Sequence, residues 1–171
     1  MKSICAVKGV SAWGIKEGKF GLALIRASGT AAGVFTSNKV RAAPVEVMMD
    51  RMRRGTLDAV VVNSGCANAY TGERGYRDAL EMCSIAAAPL GLDPAAVGVA
   101  STGVIGRYLD LPLIQDQCER VAPLLARSGD AEAAAARAIM TTDTFPKHAL
   151  VEAESFAVGG ITKGSGMIAP N

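Results

Sequence analysis

A single layered domain of α/β or α+β class is what the sequence predicts, and three observations point to it. Apolar runs of strand length alternate with stretches of helical periodicity. Nineteen glycines punctuate the chain of 171 residues, enough for many tight turns. No linker-like stretch divides residues 1–171, so one domain is expected. Periodicity alone does not choose between the two classes.

Taken in order, Phe20–Ala27 (FGLALIRA) reads as a buried strand and Gly33–Thr36 as a second, shorter one. Val45–Met49 (VEVMM) and Leu57–Val62 (LDAVVV) are further strand candidates. The basic cluster Arg51-Met52-Arg53-Arg54 ends at Gly55 and reads as a solvated turn or helix end. Thr71 can cap a helix running to about residue 88, with Tyr76, Leu80, Cys83 and Ala87 on one face. Val97–Ala100 (VGVA) is a short strand candidate. A second helix starts near Pro112, carries Ile114, Cys118, Val121 and Leu125 on its apolar face, and kinks at Pro123. A third, alanine-rich helix follows Asp130 over 131–140, and 150–158 (LVEAESFAV) alternates like a half-exposed strand.

Composition narrows the function classes. Half of the residues are apolar, a fifth are charged, and aromatics make up only 5%, so the core is aliphatic. A net charge of +2 offers no electrostatic footprint for nucleic acid or an anionic membrane. No stretch approaches the roughly 18 apolar residues of a membrane span, and no signal-peptide pattern opens the chain; a cytoplasmic protein is expected. The cysteines Cys5, Cys66, Cys83 and Cys118 form no C-x-x-C pair and the only histidine is His148, so no metal site and no disulfide are expected. Cys83 and Cys118 fall on apolar helix faces as core residues. With one histidine and no G-x-S-x-G, a serine triad has no material to be built from, and no phosphate loop or dinucleotide fingerprint is present.

Four segments could carry chemistry. Ser101-Thr102-Gly103-Val104-Ile105-Gly106 follows a strand; glycine backbone N–H groups and the threonine hydroxyl could form an oxyanion hole, or the segment is an ordinary strand-to-helix turn. Thr141-Thr142-Asp143-Thr144 gathers three hydroxyls and a carboxylate, suited to polar substrate groups or to capping a turn. Asn63-Ser64-Gly65-Cys66 suits a tight loop. Lys163, followed by Gly164-Ser165-Gly166, could offer a cation to a substrate carboxylate or stand exposed in solvent. The stretch 157–171 stops in mid-pattern, as would a glycine-rich tail or a polypeptide cut at that point.

These segments occur with others in a fixed order: Thr30-Ala31-Ala32-Gly33-Val34-Phe35-Thr36, Arg41-Ala42-Ala43-Pro44-Val45, Val61-Val62-Asn63-Ser64-Gly65, Ala100 to Gly106, Ile139 to Thr144, and Lys163 to Asn171. The series resembles the glutamate N-acetyltransferase/ornithine acetyltransferase family of arginine biosynthesis across essentially the whole chain. The resemblance implies a sheet-and-helix sandwich of the self-processing, N-terminal-nucleophile-like type. It implies that this stretch is the α chain of a precursor that cuts itself before a threonine, the nucleophile at the start of a β chain. The family pattern after Pro-Asn runs Met-Ala-Thr, which places the cut just beyond Asn171. Gly164-Ser165-Gly166 could supply the sharp turn that the cut requires. By the same resemblance, Thr102 and Gly103 form the oxyanion hole and Thr141 and Lys163 bind substrate. The implied activity is ping-pong transfer of acetyl from N2-acetylornithine to glutamate, in an α2β2 heterotetramer, without a cofactor; bifunctional members also take acetyl-CoA as donor. Cys66 stands where many relatives carry Asn, and no catalytic role is assigned to it. A related self-cleaving amidase or aminopeptidase, and a non-enzymatic small-molecule binding module, are the competing readings.

Overall fold

The computed structural model describes residues 1–165. Six strands and four α-helices follow one another as β1 (Ser11–Glu17), β2 (Phe20–Thr30), α1 (Ala43–Arg54), β3 (Thr56–Cys66), α2 (Gly72–Leu90), β4 (Val97–Val104), α3 (Leu111–Val121), α4 (Gly129–Ala138), β5 (Lys147–Glu152) and β6 (Ala157–Thr162). The first four strands form one sheet in the order β1-β2-β3-β4, and β5 and β6 form a separate hairpin. β1, β2 and β3 pair antiparallel, whereas β4 joins β3 in parallel. A parallel neighbour needs a long crossover, and α2 supplies it.

Helices cover both faces of the sheet, which makes the layered α/β arrangement. On one face, Leu22, Leu24, Val61, Val97 and Val99 pack against Val47 of α1, Met82, Cys83 and Ala86 of α2, and Ile114, Cys118 and Val121 of α3. Cys83 and Cys118 are core residues, as their helical spacing predicts. On the other face, α4 lies on β1 and β2 through Ala131, Ala135 and Ala138 against Ala12 and Ala23. Only small side chains permit that approach: a Cβ on Gly14 would come within 2.6 Å of the Ala138 methyl.

Helix ends follow their local chemistry. The Asp110 and Ser128 side chains accept from Leu113 N–H and Ala131 N–H and cap α3 and α4. Gly55 and Gly91 end α1 and α2 in the left-handed region, at φ 73° and 63°. Arg51, Arg53 and Arg54 occupy the last turn of α1, as the helix-end reading of that cluster anticipates.

Several elements depart from expectation. Val45–Met49 lies inside α1, not in a strand: Pro44 starts a helix whose Val47 packs inward, and a five-residue apolar run does not distinguish the two periods. Gly33–Thr36 is irregular, because no neighbouring strand pairs with it, and Val34 is fully exposed. β1 has no counterpart among the sequence expectations; its alanine and glycine face α4 rather than large apolar partners. Thr71 sits at the N-cap of α2 without capping it; its hydroxyl donates to Asn68 Oδ1 at 2.9 Å instead. The stretch 150–158 is two strands, turned where Ala153 N–H donates to the Phe156 carbonyl at 2.9 Å. The strand expected at 97–100 continues to Val104, so Ser101, Thr102 and Gly103 are strand residues and not a strand-to-helix turn. The alanine-rich helix ends at Ala138, which frees 139–144 for a turn. Gly166 and the expected cut beyond Asn171 lie outside the described residues.

Candidate functional site

The parallel pair β3 and β4 places Ser64 beside Thr102 and Gly65 beside Gly103 at the carboxyl ends of both strands. The register shifts there, at Gly65/Cys66. Gly65 and Gly103 both have positive φ, 108° and 132°. Both must be glycine on two counts. L-side chains rarely take this conformation, and a Cβ on Gly103 would run into the backbone of Gly65 and Cys66. A Cβ on Gly65 would meet the Phe20 ring at 2.6 Å. The outcome is two backbones in direct contact, with the half-buried Thr102 next to the turned glycine. Such a bulge re-aims backbone groups out of the ladder at a sheet edge.

Asp143 organises the second cluster. Its side chain is 0% exposed and accepts from Lys147 Nζ at 2.6 Å, from Gly164 N–H, and from Thr141 N–H at 3.3 Å. The Lys147 ammonium, above all, holds the carboxyl down at about 2; burial opposes it, and the Gly164 and Thr141 N–H groups add to it. One carboxylate therefore joins the turn carrying Thr141 to the backbone immediately after Lys163. Thr141 is exposed and Lys163 half-buried.

A cavity of about 590 Å³ opens beside this cluster, lined by Lys16, Arg137, Met140, Thr141, Asp143 and Thr144 among others. Burial pulls the Lys16 ammonium below its ordinary range, and Asp143 pushes it back up. A second cavity, of about 210 Å³, lies against Asn63, Gly65 and Cys66. The Cys66 thiol there donates to the backbone carbonyls of Arg107 and Tyr108, at 3.2 and 3.5 Å. Those contacts tie the end of β3 to the segment after β4.

The structure thus brings the four sequence-predicted residues into two pairs: Thr102 with Gly103 along β4, and Thr141 with Lys163 through Asp143. No hydrogen bond among the described residues joins one pair directly to the other. Asp143 had a sequence signal, as the carboxylate within a run of hydroxyls. Ser64 lay in the segment Asn63–Cys66, which suits a tight loop by composition but forms the end of β3, because it pairs with both β2 and β4. Lys16 had no signal, since its meeting with Ser64 is between strands far apart in the chain.

Residues 7–171 match the profile of the ArgJ family. The chain belongs to the ArgJ family. The glutamate N-acetyltransferase of Methanosarcina mazei is 55% identical over 170 residues, covering 98% of this chain and 43% of the relative. The arginine biosynthesis bifunctional protein ArgJ of Archaeoglobus fulgidus is 52% identical over 168 residues, covering 98% and 44%. The chain therefore spans less than half the length of these relatives. Among solved structures, the Mycobacterium tuberculosis ornithine acetyltransferase complexed with ornithine superposes with a TM-score of 0.94 at 36% identity, covering 99% of this chain and 95% of that one. The Bacillus halodurans arginine biosynthesis bifunctional protein gives 0.90 at 38% identity, with 99% and 93% covered. The layered fold of this chain is the fold of the ArgJ family.

Proposed function

We propose that this chain is the α part of an enzyme that moves an acetyl group from N2-acetylornithine to glutamate, with the nucleophilic threonine on a β segment. The observation that carries the reading is the Gly65–Gly103 backbone contact, which turns the end of β4 at Thr102, in a chain of this family. An oxyanion needs donors fixed before the reaction, and a glycine wedged against a neighbouring backbone is fixed.

In this scheme the threonine hydroxyl of the β segment attacks the acetyl carbonyl, and its own α-amino group takes the proton. The Thr102 hydroxyl and the Gly103 N–H bear the negative charge that develops on the carbonyl oxygen. The C–N bond to ornithine breaks, ornithine leaves as the protonated amine, and an acetyl-threonine ester remains. The glutamate amine then attacks the ester, and the threonine oxygen recovers its proton. Thr141 and Lys163 hold the amino-acid portion, Lys163 through a charge-assisted contact to the carboxylate. Both substrates share that carboxylate, so one site serves both half-reactions. The scheme needs no cofactor, and acetyl-CoA is the added donor in a bifunctional member. The assembly proposed is an α2β2 heterotetramer in the cytoplasm; among the described residues no helix is long and apolar enough to cross a membrane.

The test is Thr102→Ala in the full-length protein, assayed with N2-acetylornithine and glutamate. The expected loss is about 10²–10³ in kcat, as for removal of an oxyanion donor elsewhere. A near-normal rate overturns the assignment, and free acetate in place of acetylglutamate from the unmutated protein replaces the transferase by a hydrolase.

A further inference from the structure

Lys16, near the end of β1, bridges the two halves of the candidate site. Its ammonium has three N–H donors. Three acceptors surround it: the Lys19 carbonyl at 3.2 Å, Ser64 Oγ at 2.7 Å and the Met140 carbonyl at 2.5 Å. Each acceptor belongs to a different piece of the fold, namely the β1–β2 turn, the end of β3, and the segment after α4. Ser64 is the register partner of Thr102, and it donates in turn to the Ala138 carbonyl at 2.7 Å. Met140 directly precedes Thr141. With every donor directed at a protein oxygen, Lys16 is equipped to hold these pieces together rather than to exchange a proton with substrate.

We propose that Lys16 is a positioning residue: its ammonium, tied to Ser64 Oγ and the Met140 carbonyl, sets the spacing between the oxyanion strand at Thr102 and the substrate turn at Thr141. The inference rests on the proposed acetyl transfer. A methionine at this position keeps the unbranched stem as far as Cε but leaves Ser64 and Met140 without the ammonium donor. Arginine keeps the charge, yet its planar fork cannot reproduce three acceptors disposed around one nitrogen.

The full-length protein, carrying both segments, is assayed for acetyl transfer from N2-acetylornithine to glutamate. Lys16→Met is expected to lower kcat by about tenfold to a hundredfold, the effect of a displacement near 1 Å. The KM of either substrate should move by less than about threefold, because uniform binding is not what is lost. Lys16→Arg should not restore kcat. In the Thr102→Ala background, adding Lys16→Met should cost clearly less than it does alone, since one of the two oxyanion donors through which Lys16 acts is already gone. A wild-type kcat for Lys16→Met, rescue by arginine, or losses that multiply in the double variant each overturn the inference. Should Lys16→Met fail to fold, Ser64→Ala removes a single acceptor and enters the same cycle with Thr102→Ala, with the same two outcomes. A wild-type protein without acetyl transfer overturns the transferase reading and this inference with it; an active wild type with multiplying losses overturns this inference alone.

Discussion

Asp143 shows how much of the candidate site hangs on a single residue. Its carboxylate is the common partner of Lys147, Gly164 and Thr141. Asp143→Asn keeps the shape and removes the charge, so the Lys147 ammonium loses its counter-ion. Hydrogen bonds to charged groups contribute about 1.5–3 kcal/mol each, and a loss on the order of 2 kcal/mol is expected in denaturant melts. The transfer reaction should show a raised KM for glutamate in the same variant, since the turn carrying Thr141 is no longer tied to the residue after Lys163. An unchanged KM separates this clamp from substrate binding. The cysteines behave in the opposite manner. Burial pushes the Cys118 thiol up to about 12 and raises the Cys83 thiol as well. Neither should react with a thiol reagent at neutral pH in the native protein, and both should react after denaturation, as read by mass spectrometry.

At the scale of elements, the end of β4 and the start of α4 give contrasting expectations. Gly103→Ala places a Cβ where the Gly65 and Cys66 backbone already lies. The two strands must part, and the variant should lose acetyl transfer even where circular dichroism shows a folded protein. Normal activity in that variant removes the close-contact argument for the oxyanion strand. Ser128→Ala deletes only the side-chain cap of α4, whose Oγ accepts from Ala131 N–H at 3.1 Å. That change should lower stability by about 1 kcal/mol. The helix itself is held by Ala131, Ala135 and Ala138 packed on β1 and β2, so it persists without its cap. Elements also mark where reading by period stops. A five-residue run such as Val45–Met49 fits either period, and tertiary packing assigns it to α1. Ser11–Glu17 offers too little apolar contrast to announce a strand, because its inward residues Ala12 and Gly14 are small for the sake of α4.

For the whole molecule, acid is the revealing perturbation. The folded-state carboxyl of Asp143 titrates at about 2, against an ordinary value of 3.8. A depressed carboxyl stabilises the fold above its unfolded value, and that contribution is lost as the pH falls through the folded value. Glu132 acts in the same direction: burial would raise it, but the N–H groups of Lys2, Ser3 and Cys5, which it accepts, hold it below its ordinary range. It ties the start of the chain to α4. Thermal midpoints should therefore be level above about pH 5 and fall as pH drops from 4 toward 2. Asp143→Asn should flatten part of that fall, and an identical slope in the variant removes Asp143 from the explanation.

The sequence by itself determined a layered sheet-and-helix fold, the helical faces that bury Cys83 and Cys118, and, through ordered motifs, the family. These are properties of local composition and spacing, which a chain carries whether or not it is folded. The tertiary structure alone decided that Ser101–Gly103 is the end of a strand wedged against Gly65, that Asp143 joins the Thr141 turn to Gly164, and that Lys16 reaches both Ser64 and Met140. Those relations link residues far apart in sequence. They arise from strand pairing and from the close approach of α4 to β1, and the spacing of residues along the chain holds no record of which backbones will meet.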